Sequence, residues 1–560
     1  MLTRFFAYRF FAPYVFTLLF LAIYLGSPAN RSGWCQDLVF RMQSKAIADN
    51  QSPIAHWGWQ PDNYTQWQTH SNRLIPVYTF GTRGQGTGVD LRSYDGENSL
   101  YRDASRLTEL YGQLPRDTVN PEADYLDQTD IYRLQRAAAQ AGKKYIFLFV
   151  FDGLDWQTTQ AATTYNLGKT SYESGRGRGT WFQEYTANQT TQYGYMVTSP
   201  HNGGTKVDVN EQKVNNPGGT QAGGYRVSMG GASPWSTPAS LPYLAGETDI
   251  EGPDHAYTDS ASSATSMTAG IKTYNAAINV DPRGQPVETL AHQLQAKGWS
   301  VGAVTSVPIS HATPAATYAH NVHRSDYQDL TRDLLGLPSI SHPETPLSGL
   351  DVLIGTGFGS ETETSDDQGA NFVPGNIYLT KADLETIRVE NGGKYVIAQR
   401  TENLPGREGL LEAAEMAAQN HHRLLGFFGV PDTKHLPFQT ANGDYLPPAG
   451  KDKTSETYTA ADLQENPTIA DMTTAAIRVL STNPTGFWLL VEPGDVDWAS
   501  HDNNLDNAIG AVNSGDAAFR VVTQWVEANS NWDETLVIVT ADHGHLLLID
   551  DLDALAKMRP

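Results

Sequence analysis

The chain has 560 residues, enough for one large domain with insertions or for two to three smaller domains. Its 39 Lys and Arg stand against 62 Asp and Glu, a formal net charge of -23. This balance argues against nucleic acid as the main partner, because phosphate backbones select basic surfaces. Hydrophobic residues make up 39% of the chain, with 26 Tyr and 12 Trp, which excludes a chain that is disordered throughout.

Residues 1–29 are typical of an export signal. Arg4 and Arg9 precede an apolar stretch, and the small residues at 27–29 offer a cleavage site. The apolar stretch is short for a membrane span, although an uncleaved anchor remains open. Cys35 is the only cysteine and cannot form an internal disulfide. We expect a periplasmic or secreted bacterial protein. If it is attached to a membrane, we expect the attachment to be through residues 1–29.

Short apolar runs alternate with helical patterns along the rest of the chain. Buried strands are predicted at 74–80, 145–151, 299–304, 352–354, 487–491 and 536–539. Helices are predicted at 130–141, 287–297, 410–425 and 505–526. This alternation predicts an α/β fold, with a doubly wound, mostly parallel central sheet and helices on both faces.

Two long segments interrupt the pattern. Residues 170–250 are rich in Gly, Ser, Thr and Asn, and residues 355–450 show little sheet signal. We interpret both as surface insertions within a single catalytic domain at 30–560, with no role that the sequence assigns.

Acids and histidines follow several of the predicted strands. Asp152 and Glu492 each come directly after a strand, Asp542 and His543 end another, and His311 lies a few residues beyond a fourth. Ligands of doubly wound sheets collect at the carboxyl ends of the strands. The pattern therefore predicts a site at that edge.

A candidate nucleophile precedes a run of small residues at 257–265, YTDSASSAT. Ser260 at a helix N-terminus would face unpaired backbone N–H groups and the positive end of the helix dipole, so it is well placed to meet a phosphate. Alone this motif is weak, since Ser- and Ala-rich helix starts are common.

Other residues have the chemistry of metal ligands. Asp497 and His501, four apart, point the same way on a helix and suit zinc. Asp542 and His543 are a second acid and imidazole pair. Oxygen ligands that suit Mg²⁺ come from Asp152, Thr313 and Glu492. Arg324 is a candidate bidentate phosphate clamp. Singly, each residue is more often a helix cap or a surface charge.

Taken together, these blocks resemble the alkaline phosphatase family, in the family's order over most of 145–545. The blocks are FVFDG at 149–153, DSA at 259–261, GIKTYN at 270–275, SHATPAA at 310–316, AH through Arg324 at 319–324, VE through His501 at 491–501, and TADH at 540–543. Tyr257 departs from the Ile or Val of the family signature.

The resemblance implies two zinc ions and one magnesium ion. Ser260 would be the nucleophile, also bound to the first zinc, and Arg324 would grip the nonbridging oxygens. The first zinc would be held by Asp152, Asp542 and His543, the second by Asp497 and His501, and the magnesium by Asp152, Thr313 and Glu492. His311 would lie beside the magnesium, where some relatives carry Asp, and Trp498 replaces a Lys or His of others, so the identity of the third metal stays open.

The family has one more zinc histidine downstream of the TADH block, yet this chain ends at Pro560. HSNRLIPVYTFG at 70–81 resembles the family's last histidine block, and LDQTDIY at 126–132 resembles its final helix start. We therefore predict a circular permutation, in which 66–144 matches the family's C-terminal segment and His70 is the third ligand of the second zinc. In the alternative, His70 is a loop histidine and His545 or an outside ligand fills the gap.

The resemblance implies an exported phosphomonoesterase with a broad range of small phosphate monoesters, a phosphoserine intermediate and a role in phosphate scavenging. A homodimer or a monomer is expected. A phosphodiesterase or sulfatase on a related scaffold is the enzymatic alternative, and Arg324 favours the monoester. A phosphate- or metal-binding protein with a decayed site is the non-enzymatic alternative.

Overall fold

A computed structural model describes residues 37–66, 70–219, 221–245 and 255–559. The predicted export signal at 1–29 and Cys35 lie outside the described residues. No helix of the described ranges has the length and apolar character needed to cross a membrane.

The strands are numbered in chain order. They are β1 Ala55–Trp57, β2 Ile75–Phe80, β3 Leu126–Asp127, β4 Tyr145–Val150, β5 Gln192–Val197, β6 Lys206–Asp208, β7 Lys213–Asn216, β8 Ser300–Pro308, β9 Val352–Thr356, β10 Glu361–Thr362, β11 Gly375–Asn376, β12 Tyr395–Gln399, β13 Arg423–Phe428, β14 Phe487–Glu492, β15 Thr535–Thr540 and β16 Leu547–Ile549.

The α-helices are numbered in the same way. They are α1 Leu38–Asp49, α2 Ala104–Tyr111, α3 Thr129–Gln140, α4 Trp156–Leu167, α5 Trp181–Glu184, α6 Val227–Gly230, α7 Leu241–Leu244, α8 Ser260–Ala269, α9 Leu290–Gln295, α10 Ala312–Ala315, α11 Tyr327–Leu335, α12 Lys381–Ile387, α13 Gly406–Asn420, α14 Ala460–Gln464, α15 Ile469–Leu480, α16 Asp495–His501, α17 Leu505–Asn529 and α18 Leu552–Ala556.

Ten strands form one central sheet, in the order β12-β13-β9-β8-β14-β4-β15-β2-β5-β3. The run from β12 to β15 is parallel throughout. The central strands of the ten-stranded sheet, β14, β4 and β15, are almost wholly apolar and buried along their length, as expected of strands covered on both faces. The predicted α/β fold with a mostly parallel sheet is confirmed.

One strand reverses the sheet direction. β2 pairs antiparallel with β15, with Tyr78 opposite Val539 and Phe80 opposite Val537. The beginning of β2 therefore lies at the carboxyl end of β15, and the chain just before β2 reaches that same edge. His70 stands in this preceding segment, so its approach to the predicted site follows from the antiparallel direction of β2.

Both segments interpreted as surface insertions contribute strands to the central sheet, which their sequence pattern did not indicate. Residues 355–450 contribute β12 and β13 to one edge of the central sheet, and residues 170–250 contribute β5. The predicted helix at 410–425 ends early, at Asn420, because His421 takes a left-handed conformation with a φ of 54° and the apolar residues after it begin β13. The division of the chain into domains stays a prediction.

Candidate metal and phosphate site

The site is built around the first turn of α8. Asp259 caps this helix by accepting a 3.0 Å hydrogen bond from the backbone N–H of Ser262. Ser260, the first helical residue, is buried, and its Oγ lies 3.2 Å from His543 Nε2 and 3.4 Å from Asp152 Oδ1. A hydroxyl at a helix N-terminus between an imidazole and a carboxylate is suited to attack a phosphate.

A first group of metal-ligand type surrounds that hydroxyl. Asp152, Asp542 and His543 offer three ligand atoms that all lie within 4.8 Å of one another. They come from the ends of β4 and β15, which pair in parallel, so the sheet itself brings them together. Asp542 Oδ1 also accepts hydrogen bonds from the backbone N–H groups of Gly153 and His543, which fix its orientation.

A second group lies beside the first. His70, Asp497, His543 and His545 form a cluster of the same kind. His501 joins it, since its Nε2 is 3.2 Å from His70 Nε2 and 3.4 Å from Asp497 Oδ1. The backbone carbonyl of Thr258 lies 2.8 Å from His70 Nδ1. A proton held there leaves Nε2 as the lone-pair nitrogen that faces the cluster.

His545 is a member of the second group that the sequence pattern offered only as an alternative ligand. It is buried, and its Nε2 lies 2.6 Å from Asp497 Oδ1. The spacing of two residues after His543 was the available signal, but it gave His545 only as a substitute for His70. His70 Nε2 lies 3.9 Å from the same Asp497 oxygen, so both imidazoles stand beside this carboxylate.

A third group is rich in oxygen. Asp152, His311 and Glu492 offer ligand atoms within 4.8 Å of one another. Glu492 accepts a short hydrogen bond from the hydroxyl of Thr305, a contact that sequence reasoning missed. Thr313, on α10, is also buried, and its hydroxyl oxygen has no hydrogen-bond partner among the described residues.

Arg324 bridges the nucleophile helix and this third group. Its Nη1 donates a 3.0 Å hydrogen bond to Asp259 Oδ2, and its Nη2 lies 3.1 Å from His311 Nε2. Burial alone would lower the pKa of Arg324, but the facing carboxylate of Asp259 raises it. The guanidinium is thus held charged and oriented at the mouth of the site.

The pKa values of the buried acids and histidines indicate a site suited to bound cations. Burial, together with neighbouring carboxylates, raises the pKa of Glu492 to about 8 and that of Asp542 to about 6, and raises that of Asp152 well above its ordinary value. Burial and nearby histidines lower the pKa of His70 to about 3. Burial alone would raise the pKa of Asp497, but the facing histidines lower it well below its ordinary value. Buried carboxyl groups and unprotonated imidazoles together form a donor set suited to bound cations.

Unsatisfied ligand atoms agree with that reading. Glu492 Oε1, Asp152 Oδ2 and His311 Nδ1 are buried and have no hydrogen-bond partner within the described part of the chain. Such atoms are costly unless something binds them. Mixed nitrogen and carboxylate donors fit zinc, and the oxygen-rich group fits magnesium. The residues present therefore fit the metals that the resemblance implies.

The segment around α3 also supports the site. Gln128 Nε2 donates hydrogen bonds to the backbone carbonyl of Asp542, at 2.9 Å, and to Ser263 Oγ, at 2.7 Å. Lys272 pairs with the buried Asp127 at 3.1 Å. The LDQTDIY segment thus braces both the nucleophile helix and the end of β15.

Comparisons with known proteins agree with the motifs. The sequence profile of the alkaline phosphatase family matches residues 239–555, more than half of the chain. Alkaline phosphatase 4 of Bacillus subtilis is 27% identical over 301 residues, which cover 53% of this chain and 51% of that protein. The alkaline phosphatase of Escherichia fergusonii is 33% identical over 302 residues, covering 52% of this chain and 59% of that protein. The chain thus spans about half to three fifths of the length of these relatives.

Among solved structures, a cold-active alkaline phosphatase from a psychrophilic Shewanella is similar to 72% of this chain. The match covers 68% of that chain, with 20% sequence identity and a TM-score of 0.40.

Proposed function

The chain belongs to the alkaline phosphatase family, and on that premise we propose that it is an exported, metal-dependent phosphomonoesterase. The observation that carries the proposal is Ser260 at the first position of α8. Its Oγ is 3.2 Å from His543 Nε2, and an oriented, charged Arg324 stands behind the same helix cap. A broad range of small phosphate monoesters follows, because these groups address the phosphate and leave the alcohol free.

The three ligand groups support the proposed assignment of the metals. Asp152, Asp542 and His543, together with the Ser260 oxygen, would hold the first zinc. His70, Asp497 and His501 would hold the second. Asp152, Thr313 and Glu492 would hold the magnesium, with His311 beside it. When bound, the two zinc ions supply charge that stabilises the attacking and leaving oxygens and lowers the pKa of a bound water.

Two displacements complete the reaction. Ser260 Oγ loses its proton and attacks phosphorus, forming the Ser260–phosphate bond as the ester bond breaks and the alcohol departs with a proton. Water then attacks the phosphoserine, which releases inorganic phosphate and restores the hydroxyl. Arg324 donates hydrogen bonds to the nonbridging oxygens in both steps. His545, hydrogen-bonded to Asp497, would orient that ligand.

Arg324 also bears on the substrate class. A monoester presents nonbridging oxygens that a bidentate guanidinium can grip, whereas a diester carries a second organic group on one of them. Hydrolysis of a monoester and of a diester by the same preparation separates the two activities.

A circular permutation is the second part of the proposal. His70 and Gln128, from the segments that resemble the family's C-terminal blocks, both precede β4 in this chain. The contacts of His70 with His501 and of Gln128 with Asp542 support it, since both segments brace the predicted site. Export through residues 1–29, and phosphate scavenging outside the cytoplasm, complete the proposed role. A homodimer or a monomer is expected.

Hydrolysis of p-nitrophenyl phosphate at alkaline pH with Zn²⁺ and Mg²⁺ tests both parts. We expect an active wild type, no turnover in Ser260→Ala, and a loss of at least about a hundredfold in kcat for His70→Ala, since even outer partners of metal ligands cost 10–100-fold. His422→Ala, at an exposed histidine, is the matched control and should be fully active.

The outcomes separate the two parts. An inactive wild type after metal loading would overturn the monoesterase assignment and direct attention to diesters. Equal activity in wild type and His70→Ala would leave the phosphatase intact and reject His70 as a zinc ligand.

A further inference from the structure

A second cluster of metal-ligand type lies outside the proposed catalytic residues. His320, Asp333 and His342 offer ligand atoms that all lie within 4.8 Å of one another. They come from three separate places: the segment after α10, the helix α11, and the loop that follows α11. In the sequence, His320 belongs to a block of the family resemblance, whereas Asp333 and His342 belong to none of the motifs.

The imidazole of His320 is oriented as a ligand would be. Its Nε2 lies 3.0 Å from the backbone carbonyl of Val287, a partner that can only accept. Nε2 therefore carries the proton, and Nδ1 presents a lone pair. Metal-binding histidines almost always donate their other ring N–H to a carbonyl or carboxylate in this way. That lone pair faces His342 Nε2 at 2.9 Å.

The carboxylate of Asp333 is also fixed by outer contacts. Its Oδ1 accepts a hydrogen bond of 2.5 Å from Ser339 Oγ, and its Oδ2 accepts one of 3.0 Å from the backbone N–H of His320. Oδ2 lies 3.8 Å from His342 Nε2. The Asp333 side chain is completely buried, whereas the His342 side chain is 18% exposed. A cation bound between this buried carboxylate and the two imidazoles would compensate the carboxylate charge.

The spacing fits a zinc-sized ion. Ligands about 2.0–2.2 Å from a tetrahedral zinc stand roughly 3.3 Å from one another. The two measured separations, 2.9 Å and 3.8 Å, lie on either side of that value. Two nitrogens and one carboxylate oxygen are typical zinc donors, and the exposure of His342 leaves room for water as a fourth ligand.

We propose that His320, Asp333 and His342 form an additional zinc site, which ties the loop after α11 to the segment that carries Arg324. The loop is already joined to this segment by Ser341 Oγ, which donates a 2.7 Å hydrogen bond to the His320 carbonyl. Arg324 follows His320 by only four residues. A bound zinc would therefore stiffen the chain just before Arg324. This zinc site does not depend on the function proposed above.

Zinc counting tests this site. Each protein is stripped with a chelator, reloaded with Zn²⁺, dialysed, and measured by mass spectrometry as zinc per folded chain. We expect His342→Gln to retain one zinc fewer than the wild type, while His342→Cys, which keeps a zinc ligand, retains the full number. His422→Gln changes an exposed histidine elsewhere and should also retain the full number.

Equal zinc content in the wild type and His342→Gln would overturn the site and leave an ordinary hydrogen bond between two histidines. Thermal unfolding of the reloaded proteins verifies the fold of each variant. If His342→Gln does not fold, His342→Ser takes its place against His342→Cys. The result is independent of hydrolytic activity, so it stands or falls apart from the phosphatase proposal.

Discussion

At the scale of single residues, the predicted site depends on pairs in which one group orients another. Asp259 both caps α8 and holds Arg324, so the helix that presents Ser260 also positions the phosphate clamp. His70 is oriented by the Thr258 carbonyl, directly before the same helix. Residues 258–260 thus carry the proposed nucleophile and also contact the proposed phosphate clamp, Arg324, and one proposed ligand of the second group, His70.

Loss of the Arg324 guanidinium should weaken phosphate binding. In Arg324→Ala we expect kcat/KM for p-nitrophenyl phosphate to fall about ten- to a hundredfold, since charge-assisted hydrogen bonds contribute roughly 1.5–3 kcal/mol. Inhibition by inorganic phosphate should weaken in parallel. Arg283→Ala, at an exposed arginine, should leave both values unchanged. An Arg324→Ala enzyme with normal phosphate inhibition would contradict the clamp.

Asp326 should make stability depend on pH. Burial, reinforced by Asp329, raises the pKa of Asp326 to about 8, from an ordinary 3.8. The folded state then binds the proton more tightly than the unfolded state, so stability falls as pH rises from about 4 to about 8.

Asp326→Asn removes that dependence. At pH 9 we expect its free energy of unfolding to exceed that of the wild type by about 1–3 kcal/mol, the cost of an uncompensated buried polar group. At pH 5 the gain should vanish. Urea unfolding at the two pH values measures this, with Asp432→Asn, at an exposed aspartate, as control. An equal effect at both pH values would refute the assigned cause.

At the scale of elements, the turns after the strands decide how closely the ligand groups approach. Gly153, between β4 and α4, has a φ of +74°, and a Cβ there would lie 2.8 Å from the Cα of Asp497 and 2.9 Å from the His545 ring. Only glycine allows this turn to pass under the second ligand group.

Gly153→Ala should therefore disturb that group. We expect weaker zinc retention and a clear loss of phosphatase activity. Gly142→Ala is the matched control, because Gly142 also has a positive φ, of +94°, but faces open space. The control should lose only about 1 kcal/mol of stability. If both variants retain the same zinc and activity, the close packing at Gly153 is not what shapes the site.

At the scale of the whole molecule, the two ends of the described chain meet. Leu38 and Met42 line the same cavity as Ala554 and Met558, and β1 pairs with β16. The connection from α3 to β4, where the family's ends would have been joined, is only a short turn. A short linker could therefore join the two ends of the described chain, and the chain could be opened at the short turn between α3 and β4.

A reordered chain tests the permutation. Residues 145–559, a short flexible linker and residues 37–144 would restore the proposed family order. We expect this protein to fold, to retain zinc and to hydrolyse p-nitrophenyl phosphate, because no strand pairing is lost. The same reordered chain with His70→Ala should lose most of its phosphatase activity. A folded reordered chain that retains neither zinc nor activity would contradict the permuted origin of the site.

The sequence by itself determined the parallel half of the sheet and the chemistry at its edge. Continuous apolar runs marked β4, β14 and β15. Because parallel strands end at one edge of a sheet, the acids that follow these runs could be placed together at that edge from the sequence alone. It did not reveal β12, and it missed β13 because the apolar residues of β13 closely follow the apolar positions of α13 and extend the predicted helical pattern past the left-handed turn at His421.

Only the tertiary structure decided how the distant parts meet. His70 and His501 are more than four hundred residues apart in the chain, and the antiparallel direction of β2 brings His70 to the site. The contact of His545 with Asp497, and the convergence of His320, Asp333 and His342, arise from separate elements with no shared period. Sequence patterns report local periodicity and spacing, whereas these contacts depend on strand direction and loop packing, which are fixed only when the whole sheet has formed.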